Sequence, residues 1–198
     1  MKKPSLVVFG AIALVLLILL MSGCNAYQKL VSADQQVQSA WSEVQNQYQR
    51  RTDLIPNLVN TVKGYAKQEQ QVLTQVVEAR SRATQITVTK DVLDDSVALK
   101  RFESAQGELS GVLSRLLSVT EAYPQLQSNQ NFLALQTDLA GTENRITVAR
   151  GRFNEQVRLY NTEVRSFPET IFAGMLGFHP RAYFQATPGS DRAPTVTF

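Results

Sequence analysis

Between Tyr27 and Phe167 apolar residues recur at steps of three and four, and this spacing limits the fold more than any other feature of the chain. Four stripes can be traced. The first passes from Tyr27 through Leu30, Asp34, Val37, Trp41 and Val44 to Tyr48. The second runs from Ile55 to Ile86, the third from Ala98 to Tyr123 and the fourth from Phe132 to Phe167. The first three alternate steps of three and four throughout, the near-heptad pattern of helices packed at small crossing angles. The fourth takes two successive steps of four near Val157, a local shift of register. No helix can bury such a stripe alone. Four helices of similar length joined by short loops predict an all-α fold, an antiparallel up-and-down four-helix bundle with long helices. A period below 3.6 gives its supercoil a left hand.

The breaks are legible too. Arg50-Arg51-Thr52-Asp53 precedes Leu54-Ile55-Pro56. Asp53 suits an N-cap, and proline is tolerated in a first turn, where its missing N–H has no helical partner. The expectation is a turn here, with one long helix kinked at Pro56 as the alternative. The β-branched and polar run Ile86–Thr89 reads as a loop. Asp95 or Ser96 caps the third helix, Tyr123-Pro124 ends it, and the Ser128-Asn129 region starts the fourth. After Phe167 prolines and glycines interrupt the pattern, but Ile171, Phe172, Met175, Leu176, Phe178, Tyr183 and Phe184 carry too much apolar surface to stay in water. The expected organisation is a signal or anchor segment over 1–24, a bundle over 25–167, a C-terminal segment over 168–186 packing on it, and a flexible tail over 187–198.

The N-terminal segment places the chain. After the basic start Met1-Lys2-Lys3, Leu6 to Met21 holds 16 residues without a charge. A signal-peptide apolar region runs about 7–15 residues and a spanning helix about 17–25, so length alone does not choose. Met21-Ser22-Gly23-Cys24 then closes the run with small residues before the single cysteine of the chain. This resembles a bacterial lipobox, in which the cysteine is lipidated and the segment before it removed. Met21 departs from the usual leucine. Lipidation at Cys24 is favoured, with an uncleaved spanning helix as the alternative. In either case the basic start favours the cytoplasmic side and the helical body lies outside it.

Charge and composition narrow the function. The net charge is +3, and beyond Cys24 it falls to +1, 18 basic against 17 acidic residues. A nucleic-acid footprint is not expected at such a balance. One histidine and one cysteine leave no expected metal site, no cofactor and no nucleophile–base pair, so no enzyme activity is expected. Asp34 and Glu69 interrupt apolar stripes and require a partner or solvent. Asn57, Asn154 and Asn161 read as interhelical hydrogen-bonding groups. The charged turn at Arg50, Arg51 and Asp53 is a candidate contact for a partner. Val196-Thr197-Phe198 offers an end of the kind PDZ domains capture by strand addition, although a plain flexible end is expected.

The run from Gln49 through Arg50-Arg51-Thr52-Asp53-Leu54-Ile55-Pro56-Asn57-Leu58-Val59 to Ala66 resembles the hallmark of the LemA family. Ala40-Trp41, Glu143-Asn144-Arg145-Ile146, Ala149-Arg150, Phe153-Asn154, Tyr160-Asn161, Gly177-Phe178 and Tyr183-Phe184 agree with it. The resemblance covers about residues 26–184. It implies a membrane-attached bacterial protein with a long antiparallel bundle outside the cytoplasm and no established catalysis. The expected role is scaffolding or protein interaction at the cell envelope, with an envelope protein as partner. The alternative is a stress or signalling accessory that presents the bundle to another membrane protein or an envelope protease.

Overall fold

The computed structural model describes residues 4–86, 93 and 95–185. Thr87–Thr89 of the expected loop, the tail from residue 187 and the Val196–Phe198 end lie outside the described residues. Among the described residues all regular structure is helical. In chain order the helices are α1 (Pro4–Tyr65), α2 (Gln70–Gln85), α3 (Ser96–Thr120), α4 (Pro124–Gln127), α5 (Gln130–Arg165) and α6 (Glu169–Met175).

The turn expected at Arg50–Pro56 does not occur. α1 continues through it for 62 residues, with Pro56 in its interior. An interior proline cannot donate to the carbonyl four residues earlier, and its ring crowds that carbonyl. Here that carbonyl belongs to Thr52, and Arg80 Nε of α2 donates to it at 3.1 Å. The guanidinium takes the place of the missing N–H, so the helix passes the proline.

The chain turns instead at Ala66–Glu69. Ala66 N–H donates to the Val62 carbonyl at 2.8 Å and Glu69 N–H to the Ala66 carbonyl at 3.1 Å. Gly64 weakens the helix just before by roughly 1 kcal/mol relative to alanine. Glu69 is the N-cap residue of α2 and accepts from the Tyr123 hydroxyl at 2.9 Å. That carboxylate raises the Tyr123 hydroxyl above its ordinary pKa. Its place in an apolar stripe is thus a turn position. Asp95 caps α3, its carboxylate accepting from Val97 N–H at 2.8 Å. Asn129 starts α5, its side chain accepting from Phe132 N–H at 3.1 Å.

The chain divides into two compact units, cut within α1 and within α5. The first comprises Met1–Arg51 and Ala140–Arg181. Its α1 and α5 stretches run antiparallel, because Trp41 meets Phe153 and Arg51 meets Glu143. Leu30, Val37, Val44 and Tyr48 are buried from α1, and Ile146, Ala149, Val157 and Tyr160 from α5. The Trp41 and Phe153 rings meet edge to face, 5.3 Å between centroids, a favourable aromatic geometry.

The second unit comprises Thr52–Leu139 and Ala182–Phe198. One apolar core joins Ile55, Leu58 and Val62 of α1, Leu73, Val76 and Ala79 of α2, Leu109, Leu113 and Leu116 of α3, Leu126 of α4, and Phe132 and Leu139 of α5. Arg82 and Glu108 form a two-point ion pair on its surface, at 3.2 and 2.6 Å. Exposed pairs of this kind stabilise little. Gln185 N–H donates to Glu103 Oε1 at 3.2 Å, and Phe184 is buried.

Candidate functional site

In the first unit the chain returns toward its own N-terminal segment. Arg181 forms a buried ion pair with Asp34 at 2.6 Å, the two side chains 3% and 10% exposed. The Arg181 guanidinium lies over the Tyr160 ring, 5.1 Å from its centroid. The Asn161 side chain grips the Arg181 backbone from both sides. It donates to the carbonyl at 2.9 Å and accepts from the N–H at 2.8 Å. Asp34 therefore finds an arginine partner from the far end of the sequence.

Nearer the anchor, Lys29 Nζ donates to Glu169 Oε1 at 2.8 Å. That bond holds the Glu169 carboxyl below the usual carboxylate range, helped by the residue's own N–H at the start of α6. The same bond raises Lys29 above the ordinary lysine value. The depressed carboxylate stabilises the docked α6 above its unfolded pKa, and that contribution is lost as pH falls through the folded value. The raised lysine contributes below 10.5 and is lost as pH rises through its folded value. The protection of the α6 amides, the factor by which they exchange more slowly than an unfolded peptide at the same pH, is therefore expected to fall several-fold on acidification through the carboxylate range. Glu169→Gln should exchange faster at neutral pH and lose most of that acid dependence.

Nearest the N-terminus lies an apolar groove of about 460 Å³. Leu16, Leu20, Gly23, Cys24 and Tyr27 of α1 face Phe172, Met175 and Leu176 across it. A Cβ on Gly23 would sit 3.2 Å from the Phe172 ring, so a side chain here would require that ring to give by a few tenths of an ångström. Tyr27 and Phe178 meet edge to face at 6.4 Å. Gly177, at φ +77°, reverses the chain after α6, and Phe178 N–H reaches back to the Ala173 carbonyl at 2.9 Å. This is the glycine-dependent closure common at helix ends.

The residues singled out in the sequence are placed as follows. Leu6–Met21 is helical as part of α1, which is long and apolar enough in this stretch to cross a membrane. Cys24 is a free, exposed thiol within α1. Arg50 and Asp53 are exposed on the helix, not at a turn. Arg51 is buried, pairs with Glu143 at 2.9 Å, and lies over the Tyr48 ring at 5.1 Å. Asn161 bonds across the unit as described, whereas Asn57 is exposed. Among the described residues no three His, Cys, Asp or Glu side chains converge as a metal site would require. Arg181, Lys29 and Glu169 were not singled out in the sequence, since nothing local marks pairs more than a hundred residues apart.

Two magnetosome proteins MamQ of Paramagnetospirillum magneticum are each 26% identical over 187 residues, covering 86% of this chain and 68% of the relative. The magnetosome protein MamQ of Magnetospirillum gryphiswaldense shows the same identity and coverage. Protein LemA of Metamycoplasma hominis is 24% identical over 160 residues, 80% of this chain and 68% of that protein. The sequence model of the LemA family matches residues 40–198, four-fifths of the chain and all of the hallmark run around Pro56, and the chain belongs to the LemA family.

Proposed function

We propose that this LemA-family chain is a membrane-anchored, non-catalytic interaction protein whose helical body lies on the extracytoplasmic side and scaffolds an envelope partner. The observation that carries this reading is the set of exposed apolar side chains of α1, among them Val8, Phe9, Ile12, Leu17 and Leu20, joined to the body by unbroken helix. Such a surface is stable only in lipid or under a partner. The basic start supports the assignment of sides. An antiparallel four-helix bundle remains our reading of the body. It is supported by the opposed α1 and α5 stretches of one unit and the shared helical core of the other.

Two anchors fit. The lipobox-like run ending at Cys24 favours lipidation and removal of the segment before it. The helix running through Gly23 and Cys24, with Phe172 seated on Gly23, favours an uncleaved spanning helix. Our reading is the second. Fatty-acid labelling with Cys24→Ala as control, together with intact mass, separates them. An unlabelled chain retaining Met1–Gly23 is the expected result. A label lost in the variant, with a mass beginning at Cys24, makes the protein a lipoprotein.

The alternative role is a stress or signalling accessory. Cross-linking in growing cells distinguishes it: a scaffold holds its partner under ordinary growth, an accessory only after envelope damage. Arg50 and Asp53, exposed on α1, are the proposed contacts, and Arg51 supports them from within.

A further inference from the structure

We propose that the tip of the C-terminal hairpin, Phe172, Met175 and Leu176, enters the leaflet on the body's side of the membrane and contacts lipid acyl chains beside the anchor helix. The inference rests on the uncleaved-anchor reading and adds a second point of membrane contact to it.

Three pairings set the direction of α6. Its first residue, Glu169, meets Lys29; Phe172 meets Gly23; and Met175 and Leu176 share a groove with Leu16 and Leu20. The helix thus runs back along α1 toward the N-terminus. From Lys29 to Leu20 is nine residues, about 14 Å at 1.5 Å per residue. A hydrocarbon core about 30 Å thick needs about 20 helical residues. The uncharged stretch between Lys3 and Lys29 has to supply them, and Ser5–Gly23 accounts for 19. Leu16 and Leu20 then lie inside the hydrocarbon, and Met175 and Leu176 lie beside them.

The chemistry of the tip suits that depth. Thr170–Phe178 contains no charged residue. The charge just before it, Glu169, is neutralised by Lys29. Met175 is 82% exposed, Ile171 53% and Leu176 46%. An apolar tip so uncovered is disfavoured in water. Backbone groups in lipid must be satisfied internally, and two N–H groups of the reversal are. Leu176 N–H donates to the Phe172 carbonyl at 3.0 Å, and Phe178 N–H to that of Ala173. Tyr27, half exposed beside Phe178, stands where the anchor leaves the hydrocarbon, a depth favoured by amphipathic rings.

The test places an indole at the tip. Met175→Trp and, as control, Gln36→Trp on an exposed body position are reconstituted as full chains in phosphatidylcholine vesicles. The lipid is brominated near the top of its acyl chains, and retention is checked by alkaline carbonate extraction. Trp41 is buried in the body and supplies a constant background. Bromolipid is expected to quench Met175→Trp several-fold more than Gln36→Trp or the parent chain, with blue-shifted emission. An unquenched tip on a carbonate-resistant chain overturns the inference and leaves the anchor standing. Blue-shifted but unquenched emission means that a second copy of the chain covers the tip, and overturns it equally. A chain lost on carbonate extraction removes the anchor reading and this inference together.

Discussion

Arg181→Ala and Asp34→Ala are each expected to destabilise the chain by about 3–5 kcal/mol, read by urea denaturation followed through Trp41 fluorescence. Taking either ion out of water costs several kcal/mol, and only a close partner offsets that. At 2.6 Å the two charges are in direct contact. Removing one leaves the other desolvated without it. Asp34→Ala strands the more deeply buried charge, whereas Arg181→Ala also removes the guanidinium from the Tyr160 face. The double variant Asp34→Leu/Arg181→Met distinguishes a stabilising pair from one that chiefly fixes position. Apolar replacements of buried ion pairs are often neutral or stabilising, so the double variant should recover most of the loss. The Asn161 clip holds the Arg181 backbone independently of the side chain, so the C-terminal segment should stay docked in it. A double variant as unstable as the single ones would mean that the charges themselves contribute net stability.

This pair also shows where the sequence stops speaking. Spacing identified which face of each helix turns inward, because burial acts residue by residue along one helix. Leu30, Val37, Trp41, Val44 and Tyr48 are buried as their stripe requires, and so are Ile146, Ala149, Phe153, Val157 and Tyr160. The α3 seam was harder to read. The structure buries Leu99, Gln106, Leu113 and Thr120 between Phe102, Leu109 and Leu116. Two polar residues in the seam, flanked by the apolar Ala105, Val112 and Val119, moved the apparent stripe by one position at every second step. Periodicity also does not reveal whether a chain turns. The second stripe passes through Tyr65 and Val72, but the turn at Ala66–Glu69 moves burial to Ala66 and Leu73. The run Arg50–Pro56 held a capping residue and a proline, every local sign of a break. The partner that lets the helix continue, Arg80, lies on another helix. The groove depends on three segments meeting, of which the sequence indicated only that their residues were too apolar for water.

Arg80→Ala is expected to cost about 1.5–3 kcal/mol, the range for hydrogen bonds that involve a charged group. In a Pro56→Ala background the same change should cost less than about 1 kcal/mol. In the parent chain Thr52 C=O faces a proline that has no N–H, and Arg80 Nε supplies a donor at 3.1 Å. Alanine at position 56 restores the ordinary i to i−4 donor and removes the ring that crowds the carbonyl. Proline costs about 3 kcal/mol in a helix interior, so Pro56→Ala alone should stabilise the chain. The gain should fall short of that figure, because Arg80 already covers part of the defect. A double-mutant cycle measures the overlap, with a coupling of about 1 kcal/mol or more expected for groups sharing one acceptor. Additive effects would mean that Arg80 stabilises α2 for a reason unconnected with the proline. A chain destabilised by Pro56→Ala would mean that the proline, and not the guanidinium, sets the course of α1 through the hallmark run.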